Sequence, residues 1–196
     1  MKKGLILGMI ALLIFGLMTL YSLTPFPKKD TVTGSLPSTF SIATDNSFET
    51  QVHNECSAFS TAYVLRHFGE SSLGMKLYEQ FNFKIPFLGY VLPKGILNYF
   101  NDSDYIATLY HGSFETLKLR LLEGTPIIVL IGDGFHWQHY MTLVGFDEDS
   151  EEVYFFDSLR QEDENKEAPG NRTLSTDYFL QLWDNGLPIF HHIYFT

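Results

Sequence analysis

The chain holds a single cysteine, Cys56, and seven histidines. Four side chains are spaced so that they could act on one another. Cys56 opens a stretch in which Phe59, Tyr63, Val64 and Phe68 recur at helical spacing, with Gly69 a suitable stop. A thiol at a helix start meets unpaired N–H groups and the positive end of the helix dipole. Both favour the thiolate, the form that attacks a carbonyl. The plain alternative is a small buried residue, because position 56 shares a face with Phe59 and Tyr63. His139 stands at the entrance of an apolar strand pattern over 140–146. An imidazole there can take the thiol proton and return it to a leaving amine. His136, three residues earlier, is its rival, and a surface histidine is the bland reading of either. Asp157 follows four apolar residues, Val153-Tyr154-Phe155-Phe156, eighteen positions after His139. From a neighbouring antiparallel strand it would fix the tautomer and orientation of the ring, although an Asp before Ser158 also suits a turn. Gln51, five residues before Cys56, would offer a side-chain amide to an oxyanion, beside the Cys56 N–H.

The elements that must position these groups are legible in outline. After the helix from 56 to about 67, helices are predicted at 73–81 and 94–99, and a short strand at 106–110. A helix over 114–122 has Ser113 as N-cap. Thr116 at the third position gives no capping box, and Gly124 with Pro126 ends the element. Strands follow at 127–131, 140–146 and 153–157, the last two joined by the acidic turn 147–152. A strand over 189–195 could close the sheet. Helices first and antiparallel strands later indicate an α+β domain.

Four short motifs resemble those of papain-like cysteine peptidases, and most closely the bacterial family of bacteriocin leader peptidases that cut after double glycines. They are Gln51-Val52-His53-Asn54-Glu55-Cys56, Leu122-Glu123-Gly124-Thr125-Pro126, His139 through Gly145-Phe146, and Val153 through Asp157. The likeness covers most of residues 49–196, and the order and spacing of the motifs carry its specificity. It implies a helical half holding Cys56, packed on a small antiparallel sheet holding His139 and Asp157. It also implies a cysteine hydrolase acting on a peptide or protein substrate without a cofactor. The chain departs from the pattern with Ser57 where Gly is usual after the nucleophile, and with Ser158 where Pro often follows the acid. Well-known members of that family are fused to an ABC transporter. No G-x-x-x-x-G-K-[ST] occurs here, so ATP is not an expected ligand. A catalytically inactive binding relative and a cell-wall amidase of similar chemistry are the competing readings.

Composition bounds the rest. The 196 residues suit one globular domain, and the single cysteine excludes an intramolecular disulfide and a multi-cysteine zinc site. The net charge of −10 argues against nucleic acid as a partner. That charge is uneven: four of the 13 basic residues lie in the first 29, leaving 9 basic and 23 acidic residues, a net of −14, over 30–196. Between Lys3 and Lys28 residues 5–23 carry no charge, long enough as a helix to cross a bilayer. The reading is an uncleaved signal anchor over 1–25, a cleaved signal peptide being the alternative. A Pro-, Ser- and Thr-rich tether spans 26–48, and the peptidase-like domain 49–196. Charge at the N-terminus places Met1 in the cytoplasm and residues 30–196 outside the cell, held by a single-pass anchor in the cell membrane. The run 161–167 reads as a solvated loop. Asn171-Arg172-Thr173 is a sequon of little weight, and the acidic turn lacks a calcium-loop pattern, so no metal site is expected.

Overall fold

The computed structural model describes residues 2–23, 25–42, 46–161 and 166–196. In chain order the elements are α1 (Lys2–Leu23), β1 (Lys28–Lys29), β2 (Thr39–Ser41), α2 (Cys56–His67), α3 (Gly74–Gln80), α4 (Pro93–Phe100), β3 (Leu109–His111), α5 (Phe114–Leu121), β4 (Ile127–Asp133), β5 (Trp137–Asp147), β6 (Glu152–Phe156), β7 (Arg172–Ser175), α6 (Thr176–Asp184) and β8 (Ile193–Phe195). The fold is mixed α+β. Part of the expected loop 161–167, residues 162–165, lies outside the described residues.

Among the described residues the sheet has eight strands in the order β1-β3-β8-β4-β5-β6-β7, with β2 paired to β5 off that path. It is larger than the small sheet expected, and it is mixed, because β1 pairs with β3 in parallel. It is also covered on both faces. Alternation along β4 explains this: Ile127, Val129 and Ile131 join Leu117, Leu121, Phe179 and Trp183 in one core. Ile128 and Leu130 join Ala58, Ala62, Leu65, Leu77 and Ile96 in the other. Thus α5 and α6 lie on one side, and α2, α3 and α4 on the other.

The segment 26–48 is more than a tether, since its described parts contribute β1 and β2. Thr39, Phe40 and Ser41 pair with Asp147, Phe146 and Gly145. This contact explains the glycine of the histidine motif. A Cβ at Gly145 would lie 2.9 Å from the Phe40 carbonyl oxygen, beside the register shift between Leu143 and Gly145. Asp30, next to β1, is buried and receives a bidentate guanidinium from Arg120 at 2.8 and 3.0 Å and the Tyr194 hydroxyl at 2.6 Å. Burial pushes its carboxyl up, but these donors outweigh it and hold the pKa at about 2.

Asp30→Ala therefore leaves Arg120 and Tyr194 without their acceptor and is expected to cost about 2–3 kcal/mol in urea unfolding. The folded pKa lies below the unfolded carboxyl's, so this stabilisation is present above the unfolded value and lost as pH falls towards 2. A wild-type advantage over the variant that stayed constant down to that pH would refute it.

One local expectation is corrected. Ser113 and Thr116 do form a capping box: the Ser113 Oγ accepts from the Thr116 N–H at 3.2 Å, and the Thr116 Oγ1 accepts from the Ser113 N–H at 2.9 Å. A threonine hydroxyl reaches back in place of the longer Glu or Gln side chain.

Candidate active site

Cys56 is the first residue of α2, and the helical bonding begins only at the N–H groups of Ala58 and Phe59, which donate to the Glu55 carbonyl at 2.9 and 3.2 Å. The loop before it is shaped by Glu55, whose buried carboxylate accepts from the N–H groups of Val52 at 3.2 Å and His53 at 2.7 Å. Asn54 turns away and donates to the Leu88 carbonyl at 2.8 Å. Glu55 is the N-cap, though its side chain makes no capping bond.

His139 is the third residue of β5, paired with Ile131 of β4, and is buried. It is not at the exposed strand entrance expected, because β5 begins two residues earlier, at Trp137. His136 is exposed in the β4–β5 turn, its N–H bonded to the Asp133 carbonyl at 3.0 Å. Asp157 follows the last residue of β6 and its Oδ1 lies 2.8 Å from His139 Nε2. A carboxylate only accepts, so Nε2 carries the proton, and Nδ1 is left for the thiol. Cys56 lies close enough for its sulfur to act on the His139 ring and raise its pKa. The three groups are brought into one buried cluster.

The electrostatics match that arrangement. Burial alone pushes His139 down. The hydrogen bond to Asp157, the hydrogen bond to Cys56 and the charges of both raise its pKa to about 9. Burial pushes Asp157 up, but the His139 hydrogen bond and charge, the Leu159 N–H and Arg172 hold it below the usual carboxylate range.

Gln51 is buried and stitches the cysteine loop to the aspartate turn. Its N–H donates to the Ser158 carbonyl at 2.9 Å, and its Oε1 accepts from the Ser158 hydroxyl at 2.5 Å. One of its two amide N–H groups donates to the His53 carbonyl at 2.5 Å.

Two positioning features escaped the sequence reading. The first is Ser60, one turn beyond Cys56, whose hydroxyl donates to the Tyr140 carbonyl at 3.2 Å, while the Thr142 hydroxyl donates to the Ser60 carbonyl at 3.4 Å. These bonds tie the cysteine helix to the histidine strand at residues adjoining the pair. The second is Asn171, the sequon residue given little weight. It is 1% exposed; its Oδ1 accepts from the Asp157 N–H at 2.6 Å, and its Nδ2 donates to the carbonyls of Asp157 at 2.9 Å and Arg160 at 2.8 Å. It clamps the turn that carries Asp157. Ser and Thr on an otherwise apolar helix face were the available signal for the first. A solitary Asn in a loop offered none for the second.

Ser57, in the place of the usual glycine, is fully buried, and its hydroxyl has no hydrogen-bond partner among the described residues. Ser57→Ala is expected to raise stability by about 1 kcal/mol, by removing an unpaired buried hydroxyl and improving helix propensity. A lower melting temperature in the variant would show that the hydroxyl has a partner in solution.

A family model described as the peptidase C39-like family matches residues 43–185. The chain belongs to that family. No curated protein matches it in sequence. Among solved structures it is similar to a crystal structure of a candidate C39-like peptidase from Bacillus anthracis. The TM-score is 0.58 at 17% identity, over 79% of this chain and 96% of the other. Both comparisons agree with a C39-like, papain-like fold. Among the described residues, no group of three or more His, Cys, Asp or Glu side chains is arranged to hold a metal ion. One helix, over Lys3–Tyr21, is long and apolar enough to cross a membrane or to serve as a signal sequence.

Proposed function

We propose that this C39-like chain is a membrane-anchored, extracytoplasmic cysteine peptidase that cleaves a peptide or protein substrate through Cys56, His139 and Asp157, with Gln51 at the oxyanion. The observation that carries the reading is the His139 ring held between Asp157 and Cys56 in one buried site. Asp157 fixes the tautomer that leaves Nδ1 towards the sulfur, and His139 takes the thiol proton as the sulfur attacks. The thiolate adds to the scissile carbonyl, and the oxyanion is met by the Cys56 N–H and the free Gln51 amide N–H. His139 gives its proton to the leaving amine, the thioester forms, and water activated by the same ring hydrolyses it. No ATP, metal or nucleic acid takes part. The helix α1 stays uncleaved with Met1 inside, so the domain works at the outer face of the cell membrane.

Two experiments test this. The purified full-length chain should digest casein, and its cysteine should react with iodoacetamide faster than in His139→Ala. Equal labelling with no digestion of casein or of a leader peptide would favour the inactive relative, and digestion of cell wall alone would favour the amidase. Protease shaving of intact cells should remove the domain; survival of the full-length chain, with a surface control digested, would sink the topology.

A further inference from the structure

The end of α1 does not leave the domain freely. The Lys94 ammonium at the start of α4 donates to the Tyr21 carbonyl at 2.7 Å, caps the exposed C-terminal turn of α1, and lies 3.2 Å from the Tyr21 ring centroid. The same ammonium lies 4.8 Å from the Phe83 ring, and the Tyr21 and Phe83 rings are 6.0 Å apart. Phe83 roots a small hairpin over residues 83–92. It is closed by Leu92 N–H to the Phe83 carbonyl at 3.0 Å, Ile85 N–H to the Tyr90 carbonyl at 2.8 Å, and a bridge between Lys84 and Val91. Tyr78 holds it from behind through its hydroxyl on the Gly89 carbonyl at 2.7 Å.

The tip of this hairpin presents Phe87, 108% exposed, and Leu88, 55% exposed, to solvent. Phe87 sits at φ 67°, a left-handed conformation that a bulky residue adopts only when its surroundings enforce it. Charge points the same way. Residues 25–29 and 83–92 contain Lys28, Lys29 and Lys84 and no acidic residue, in a domain whose net charge is −14. Lys94 caps the apolar helix, Lys84 lies on the hairpin beside it, and Lys28 and Lys29 follow it within a few residues.

We infer that the hairpin over residues 83–92 is a second membrane contact. Phe87 and Leu88 enter the interface of the bilayer that α1 spans, and Lys28, Lys29 and Lys84 meet anionic lipid headgroups. This rests on the anchored reading of α1. It has a consequence for the site: the Leu88 carbonyl is bonded to Asn54, two residues before Cys56, so seating the tip in lipid sets the cysteine side of the cleft against the membrane surface.

The test uses the full chain in phosphatidylglycerol-containing vesicles. An environment-sensitive fluorophore is attached at Phe87→Cys in a Cys56→Ala background, at Leu88→Cys as a neighbouring position, and at Ile106→Cys as a control that is also highly exposed. Labels at 87 and 88 should shift to the blue and lose most of their intensity to lipids spin-labelled near the headgroup, more strongly than in phosphatidylcholine alone, while the label at 106 should not. Vesicle-bound chain with all three labels equally unquenched overturns the inference and leaves the anchor standing. Chain that does not float with vesicles overturns the anchor and the inference together. A label at 87 shielded by added peptide substrate but not by lipid assigns the tip to substrate and also overturns it.

Discussion

Cys56→Ala is expected to abolish the proposed peptide hydrolysis, with a loss in kcat on the order of 10⁴-fold or more, while melting temperature and circular dichroism remain those of a folded protein. The size of the effect follows from the chemistry. The thioester divides amide hydrolysis into two easier steps, and without sulfur no covalent path remains. The chain has no second cysteine to take over. The fold should tolerate the change because Cys56 lies at the start of α2, and the helix is held further along by Ala58, Ala62 and Leu65. Loss of the thiol also removes one of the interactions that raise His139, so the imidazole of the variant should titrate below about 9. Nuclear magnetic resonance of the His139 ring reads that shift, and retained hydrolysis by the purified variant would rule out thiol catalysis.

How far the sequence carried this reading depended on how dense the local pattern was. Helix α2, strand β4 and the β5–β6 pair were legible because each has several apolar residues at a clean period, and the extra strand residues found at 137–139 only extend them. Strands β1 and β2 have two and three residues, too few for any period, and exist because longer partners offer open edges. Strand β7 shows only one buried residue, Leu174, and pairs with β6 as an edge. Helix α6 went unread although it carried signals: Ser175 as N-cap, Asp177 in the first turn, Phe179 and Trp183 four apart, and left-handed Asn185 at its end. That omission hid the second helical layer, and the sheet therefore looked one-sided.

The site shows the same division. Cys56, His139 and Asp157 stood out by residue type and order, and their mutual approach rests on long-range geometry. Nothing local indicates that Ser60 bonds the strand beside His139, or that Asn171 grips Asp157 from fourteen residues away. Such contacts are products of the sheet register, and they are what fixes the ring against both its neighbours.

His139→Ala is expected to cost on the order of 10⁴-fold in kcat/KM, whereas His136→Ala leaves the rate within about a few-fold of wild type. The difference is positional. The His136 side chain is exposed in the turn, while the His139 ring is buried with Nε2 on Asp157 and the other nitrogen towards Cys56. The pH profile adds a second reading. With the His139 pKa raised to about 9, its imidazolium persists through neutral pH, and kcat/KM should fall as pH rises through about 9 and that proton is lost. Asp157→Asn keeps a hydrogen-bond acceptor for Nε2 but removes the carboxylate charge. It should therefore cost much less than His139→Ala, yet move the alkaline limb to lower pH, because one of the interactions that hold the proton on His139 is gone. A variant with wild-type rate and an unmoved limb would show that Asp157 neither orients nor charges the ring. A dead His136→Ala beside an active His139→Ala would transfer the base to the turn and detach the chemistry from the register of β5.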